Sequence, residues 1–321
     1  MEEPFKQERI DRIRHLTLRE LTHQKEGGET ALLERLSIEV DGTDWTEEQK
    51  AKVKHVANLV VTKYHAGDTR DDNTYSTHIL RVACRILSST HFNIRDNPDL
   101  IIAALLHDTV EDRPERLLDE PELSLEDTSA TNLTAREEQR KRALNYITHL
   151  HGENVADMVS AVSNPIYDKS LVRDREVRQA LYRTHVRRVL ASDSPAKFIK
   201  LSDFIDNCLG LEFNKKGSTA RNKLAHKYQP LLPDMLEFVM SSEIHDAMKT
   251  KIIDELFYAD ELCNLVKGSN GIQRKLGYGV LKQATYDSQA FFWRREASSR
   301  SKAKPRDNSN NAAREGILIS H

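Results

Sequence analysis

Leu100-Ile101-Ile102-Ala103-Ala104-Leu105-Leu106-His107-Asp108-Thr109-Val110-Glu111-Asp112 decides the reading of this chain. Seven apolar residues without a polar interruption predict a helix buried on all sides. Four titratable groups follow within six residues. His107 and Glu111 stand four apart, as do Asp108 and Asp112, so each pair recurs at helical spacing. An adjacent His and Asp can grip one metal ion from a single turn. Such a cluster at the end of a buried helix is costly unless something binds there.

The residues on either side read as further helices. Thr46 and Gln49 form a capping-box pattern ahead of Val53, Val56, Ala57, Val60 and Val61, and Gly67 suits a left-handed helix end. A polar loop from Asp68 to Thr74 leads to a helix bearing Ile79, Val82, Ala83, Ile86 and Leu87. Asn93 to Asp99 read as a loop before the decisive run. Beyond it, helical periodicity returns at Thr134, is broken by Gly152, and resumes through Val155, Met158, Val159 and Val162. Long helices follow through Leu190, and then over Phe198 to Asn207. No alternating strand pattern is convincing, and with only 12 Gly and 9 Pro in 321 residues the chain is too poor in turn residues for a sandwich or barrel. The expectation is an all-α protein. Residues 1–45 would be a helical extension, 46–215 the central domain with a flexible insertion at about 113–134, 216–296 a further helical region, and 297–321 a disordered tail.

Charged residues make up 31% and the net charge is -2, so no global basic field favours DNA or an anionic membrane. No apolar run is long enough to span a bilayer, and the N-terminus lacks the apolar core of a signal peptide. Cys84, Cys208 and Cys263 fit neither a zinc spacing nor a disulfide framework and read as core residues in a reducing cytosol. A cytoplasmic protein is expected, with no membrane partner, no specific nucleic-acid partner and room for a homo-oligomer.

Two more residues can complete a metal site. His78 opens an apolar helix directly after the polar loop. Asp203 lies among Leu201, Phe204 and Ile205, where a lone carboxylate is costly to bury. With His107 and Asp108 they supply two imidazoles and two carboxylates, a donor set suited to Mn²⁺ or Fe²⁺ and lacking the thiolates of structural zinc. Each of these two residues also has an ordinary reading, His78 as a helix cap and Asp203 as a salt-bridge partner.

The order His78…His107-Asp108…Asp203 on a helical scaffold resembles the HD superfamily of metal-dependent phosphohydrolases. The string from Ala103 to Asp112 is similar to the hydrolase domain of RelA/SpoT-type enzymes. Further resemblance lies in His65-Ala66-Gly67 with Arg70, and in Tyr75-Ser76-Thr77-His78 with Val82-Ala83. Gly152 with Val155-Ala156 and Val159, and Lys200-Leu201-Ser202-Asp203 with Asn207, extend it over roughly residues 50–212. The resemblance implies an HD-type helical bundle in which His78, His107, Asp108 and Asp203 hold Mn²⁺. Glu111 and Asp112 would position or deprotonate water, Arg70 would pack on a nucleobase, and Asn207 would touch the ribose. It implies a nucleotide substrate, with removal of the 3′-pyrophosphate of (p)ppGpp to give GDP or GTP. Lys200, with Lys197, Arg173 and Arg183, could add positive charge for a polyphosphate.

The chain departs from that pattern in places. Asp71-Asp72 follow Arg70 where many family members carry an Arg-Lys pair, and Phe204 follows the last metal Asp where Arg is common. Nothing after residue 216 looks like a synthetase domain. Alternatives therefore stay open: an HD phosphohydrolase acting on an adenine alarmone, NADPH or a nucleoside phosphate, or a silent nucleotide-sensing module. The aromatic residues Tyr278, Tyr286, Phe291, Phe292 and Trp293 could pack on the core or contact a partner.

Overall fold

Asn97 starts the central helix. Its side chain accepts a hydrogen bond from the Leu100 amide at 3.1 Å, and Pro98 fills the first turn, where a missing N–H costs nothing. The helix therefore begins inside the stretch expected to be a loop. A computed structural model of the chain describes residues 13–25, 27–70, 73–88, 97–120, 130–166, 172, 174–212, 218–242, 244 and 246–267. The proposed tail, the C-terminal aromatic residues, Asp71, Asp72 and Arg173 lie outside these.

The described elements are almost entirely helical, as expected. Helices α1 (Leu18–Thr22) and α2 (Gly28–Asp41) come first. Helix α3 (Glu47–Leu59) starts on the expected capping box, with the Gln49 amide 3.2 Å from Thr46 Oγ1 and the Thr46 amide 2.9 Å from Gln49 Oε1. It ends in a π turn over Val60–Tyr64. Then come β1 (Thr69–Arg70), β2 (Asn73–Thr74), α4 (Ser76–Ser88), α5 (Pro98–Leu106), α6 (Thr109–Asp112) and α7 (Pro114–Leu118). The chain continues with α8 (Ala130–His151), α9 (Glu153–Val162), α10 (Arg175–Leu190) and α11 (Ala196–Leu209). Finally α12 (Ser218–Tyr228), α13 (Leu232–Ser241) and α14 (Asp246–Val266) complete the described residues.

Every residue from Leu100 to Leu106 is buried, each at 1% exposure or less. Helices α3, α4, α9 and α11 surround α5. Burying each Leu or Ile there contributes about 1.5–3 kcal/mol. Helices α1 and α2 pack on α4, so the N-terminal extension is part of the same core. Gly28 makes that possible, because a Cβ there would lie 1.9 Å from the Thr22 carbonyl oxygen. Gly152, at φ 94°, separates α8 from α9 as the sequence suggested.

Two local expectations differ. The polar loop before α4 carries a short hairpin, Thr69 opposite Thr74 and Arg70 opposite Asn73. The segment read as an insertion contributes α7 and the start of α8, which pack together, while residues 121–129 fall outside the described ones. Helix α8 thus begins before Thr134.

The described residues, 13–267, belong to one compact unit by their contacts. Helices α12 and α13 pack on α14, and α14 packs on α11. Cys84, Cys208 and Cys263 are all buried free thiols. No helix among the described residues is long and apolar enough to cross a membrane.

Candidate metal centre and active-site cleft

Three helix ends and the middle of a fourth helix converge at the C-terminal end of α5. His78 comes from the first turn of α4, His107 from the residue after α5, Asp108 from the start of α6 and Asp203 from the middle of α11. One ligand atom each from His78, His107 and Asp203 lie within 4.8 Å of one another. His78 Nε2 is 3.4 Å from both Asp108 Oδ2 and Asp203 Oδ1. His107 Nε2 is 3.3 Å from Asp108 Oδ1 and 3.9 Å from Asp203 Oδ1. The four residues proposed from sequence as metal ligands are thus brought to one point.

The imidazoles are oriented for this. His107 Nδ1 donates to the Ala104 carbonyl oxygen at 2.7 Å, and His78 Nδ1 donates to Asp206 Oδ2 at 2.8 Å. Both Nε2 atoms are buried and make no hydrogen bond. A buried ring nitrogen without a partner is costly unless a ligand meets it. With each Nδ1 engaged as a donor, loss of the Nε2 proton leaves a lone pair that can accept a cation, the usual arrangement at histidine-ligated metals. This donor set fits a borderline divalent cation.

Asp206 and Arg81 stabilise the arrangement. Asp206 Oδ1 and Oδ2 each accept from the Arg81 guanidinium at 2.8 Å. Burial disfavours the charge of Asp206, yet Arg81 and His78 hold it well below the usual carboxylate range. Burial likewise opposes the charge of Asp108, and the His107 and His78 rings outweigh it to keep the carboxylate ionised. Burial also opposes the imidazolium of His78, but Asp108, Asp203 and Asp206 raise it to about 10 with no metal bound. A cation must therefore displace protons to enter.

Above the ligands lies a cleft of about 500 Å³, lined by Arg70, Tyr75, Asp112, Asn164, Lys223 and Tyr228 among others. Tyr75 Oη lies 2.8 Å from Asp108 Oδ2 and 2.9 Å from Asp112 Oδ2, within hydrogen-bond reach of both. One phenolic proton cannot satisfy both carboxylates fully. Burial, and then Asp108 and Glu111, push Asp112 up to about 7, so a shared proton is natural there. His65 stacks on Tyr75 at 5.0 Å and lies 3.2 Å from Thr109 Oγ1. Glu111 is held differently. Its two oxygens accept from the Asn164 side chain at 2.7 Å and backbone amide at 2.9 Å.

The residues expected to contact substrate fall into two groups. Arg70 and Asn207 line the cleft, with an Arg70 guanidinium N–H donating to Asn207 Oδ1. Asn207 Nδ2 also donates to Asp203 Oδ1 at 2.5 Å. Lys200 is 4% exposed, with Nζ 3.2 Å from the Val162 carbonyl oxygen and 3.5 Å from Asp203 Oδ2. Its position is that of a cation balancing a ligand. Lys197 and Arg183 line neither this cleft nor its neighbour.

Sequence reading missed Asp206, Arg81 and Asn164. The first two carried a signal: each stands three residues after a candidate metal ligand on the same helix, where its side chain shares that residue's face. Nothing near Asn164 marks it as the partner of Glu111.

Residues 75–208 match the family model of the HD domain. This segment is similar to HD domains. The match runs from Tyr75 to Cys208 and so spans all four metal-binding candidates, Asp206 and Asn207. With the converging histidines and carboxylate it supports a metal-dependent phosphohydrolase of the HD superfamily. No curated protein matches the chain.

Proposed function

We propose that the HD domain hydrolyses the 3′-pyrophosphate of guanosine alarmones, (p)ppGpp, with Mn²⁺ as its metal and GDP or GTP and pyrophosphate as products. The observation that carries the hydrolase reading is the pair of unpartnered buried Nε2 atoms facing two carboxylates at the floor of an open cleft. His78, His107, Asp108 and Asp203 would hold the cation. When bound, it supplies charge to neutralise phosphate oxygens and to acidify water.

The chain's own residues account for the remaining chemistry. Water oxygen joins the phosphorus nearest the ribose, the bond from that phosphorus to the 3′ oxygen breaks, and the leaving oxygen takes up a proton. Asp112 is the acceptor of the water's proton, since its affinity lies near neutrality. Tyr75 bridges it to Asp108 and fixes its place. Glu111, clamped by Asn164, cannot swing and serves to position the water. Arg70, Lys223 and Lys227 line the cleft and meet a polyanion. Tyr228 and Tyr182 also line the cleft.

The guanosine alarmone is favoured by the sequence resemblance from Ala103 to Asp112. A second reading, another phosphorylated nucleotide such as an adenine alarmone or NADPH, is favoured by Asp71-Asp72 in place of an Arg-Lys pair. Purified protein loaded with Mn²⁺ is expected to convert ppGpp to GDP and pyrophosphate. A metal-loaded protein inert on ppGpp but active elsewhere in a nucleotide panel replaces the first reading with the second.

A further inference from the structure

Glu111 and Asp112 sit on α6, a helix of four residues. One turn of helix does not hold itself in water, because its few hydrogen bonds do not offset the ordering of the backbone. The Asp112 amide donates to the Asp108 carbonyl oxygen at 2.7 Å and the Arg113 amide to that of Thr109 at 2.8 Å. No side chain caps the start of α6 or of α7, and Arg113 is the single residue between the two helices. Burial of Thr109 and Val110 anchors the front of the turn. Its rear, where Asp112 lies, depends on what Arg113 grips.

Arg113 grips Asp68. Its Nε donates to Asp68 Oδ2 at 2.9 Å and its Nη2 to Asp68 Oδ1 at 3.1 Å, the two-pronged contact that suits a guanidinium to a carboxylate. From α7, Arg116 adds Nη2 to Oδ1 at 3.0 Å and Nη1 to Oδ2 at 3.3 Å. Arg116 Nη1 is also held by the Tyr64 and Ala66 carbonyl oxygens at 3.2 and 3.0 Å. Burial opposes the charge of Asp68, and Arg113 and Arg116 outweigh it to keep the carboxyl below its ordinary range. The same residue closes the hairpin that carries Arg70, its carbonyl oxygen accepting from the Tyr75 amide at 2.8 Å. His65 joins the two sides. Its Nδ1 is 3.4 Å from Asp68 Oδ2, its Nε2 is 3.2 Å from Thr109 Oγ1, and its ring stacks on Tyr75. Asp68 thus holds both groups that set Asp112: the backbone beside it, through Arg113, and its hydrogen-bonding neighbour Tyr75.

We propose that Asp68 is a positioning residue for Asp112, locking the one-turn helix and Tyr75 in the register that proton transfer needs. The role rests on the hydrolase reading of the metal cleft, in which Asp112 takes the water's proton. Asp68 does not line that cleft, so it acts only through the residues it holds. A proton acceptor works within about 2.6–3.2 Å of the oxygen it serves, so a small displacement of Asp112 lowers turnover. His78, His107 and Asp203 stand on other segments and keep their places.

Hydrogen exchange of the full chain, read by mass spectrometry, tests the clamp without a substrate. In D68N, exchange over residues 109–118 should rise at least about tenfold, since charge-assisted contacts to two guanidinia are lost. Residues 79–88, 100–106 and 196–209 should exchange as in the wild type. D68E keeps the charge and should restore protection to within about threefold. R113Q releases the clamp from its other side and takes the place of D68N should that variant fail to fold. Unchanged exchange over 109–118, or an equal rise in all four segments, overturns the positioning role. With ppGpp and the Mn²⁺-loaded chain, D68N should lower kcat at least about tenfold while KM and metal content stay as in the wild type. In a D112N background the same change should add no further loss, because Asp68 acts through Asp112. A multiplicative loss there overturns the proposal. A wild-type chain inert on ppGpp and on the rest of the nucleotide panel removes the reading of the metal cleft instead, and the exchange result is independent of it.

Discussion

Asp206 shows how much of a candidate metal site can reside in a residue outside its ligand set. Its carboxylate accepts from His78 Nδ1 and from Arg81, and so sets which way the His78 ring faces. Asp206→Asn is expected to weaken Mn²⁺ binding about 10–100-fold. It leaves the buried Arg81 without its counter-charge, at a cost of about 3–5 kcal/mol. Metal titration followed by spectroscopy checks the first effect and urea unfolding the second; unchanged metal affinity would remove the positioning role. Asp112→Asn tests the other half of the site. Turnover should fall about 10²–10⁴-fold while metal content stays as in the wild type. Wild-type turnover in that variant would discard Asp112 as the proton acceptor.

His65 makes a stability prediction of the same kind. Burial lowers its pKa to about 4 from an ordinary 6.5, so the folded chain keeps it neutral beneath Tyr75. The unfolded chain takes up the proton first as the pH falls. The stability owed to neutral His65 is thus fully present above pH 6.5 and is lost between 6.5 and 4, at about 1.4 kcal/mol per pH unit. A His65→Gln variant should show a flatter decline across that window in urea unfolding at successive pH values. Parallel curves would assign the acid sensitivity elsewhere.

At the level of elements, α5 combines the strongest sequence signal with the deepest burial. Seven apolar residues in a row admit no exposed face, and none is present. Leu105→Ala should cost about 2–5 kcal/mol, since neighbours on every side hinder collapse of the cavity. A smaller loss in urea unfolding would mean that the surrounding helices close the gap. The capping box at Thr46 and the break at Gly152 were legible for the same reason: backbone hydrogen bonds and a positive φ are local demands that particular residues answer. The hairpin around Arg70 was not legible, because two paired residues per strand carry no periodicity. The α7 turn escaped notice because the acidic, proline-containing sequence around it reads as loop. Among site residues, His78 and Asp203 announced themselves as polar groups in apolar helices. Asn164 did not, because only tertiary packing brings it beside Glu111.

On the scale of the whole molecule, the HD match ends at Cys208, yet the packing does not. Phe204 meets Tyr228 of α12 at 5.9 Å, and α14 packs on α11. A chain cut after residue 212 would bare Phe204, Ile205 and Cys208, all buried at 1% exposure or less. It should bind a hydrophobic dye and lose its cooperative thermal transition, whereas a normal melt would show that α12–α14 are dispensable. Metal should act in the opposite direction. Mn²⁺ at a hundred times its dissociation constant adds about 2.7 kcal/mol of stability. Chelation should therefore lower the melting temperature of the wild type and leave His107→Ala unmoved.

Helix α11 carries Asp203, Asp206 and Asn207 within five residues, and these reach the cation site, the His78 ring and Arg70 respectively. A rigid helix cannot shift one of these without shifting the others. If a cation binds at the floor of the cleft and a nucleotide at its mouth, the two are reciprocal: whatever factor the cation contributes to nucleotide affinity, the nucleotide returns to the cation. Helix α14 packs on α11, so its packing bears on the placement of all three residues.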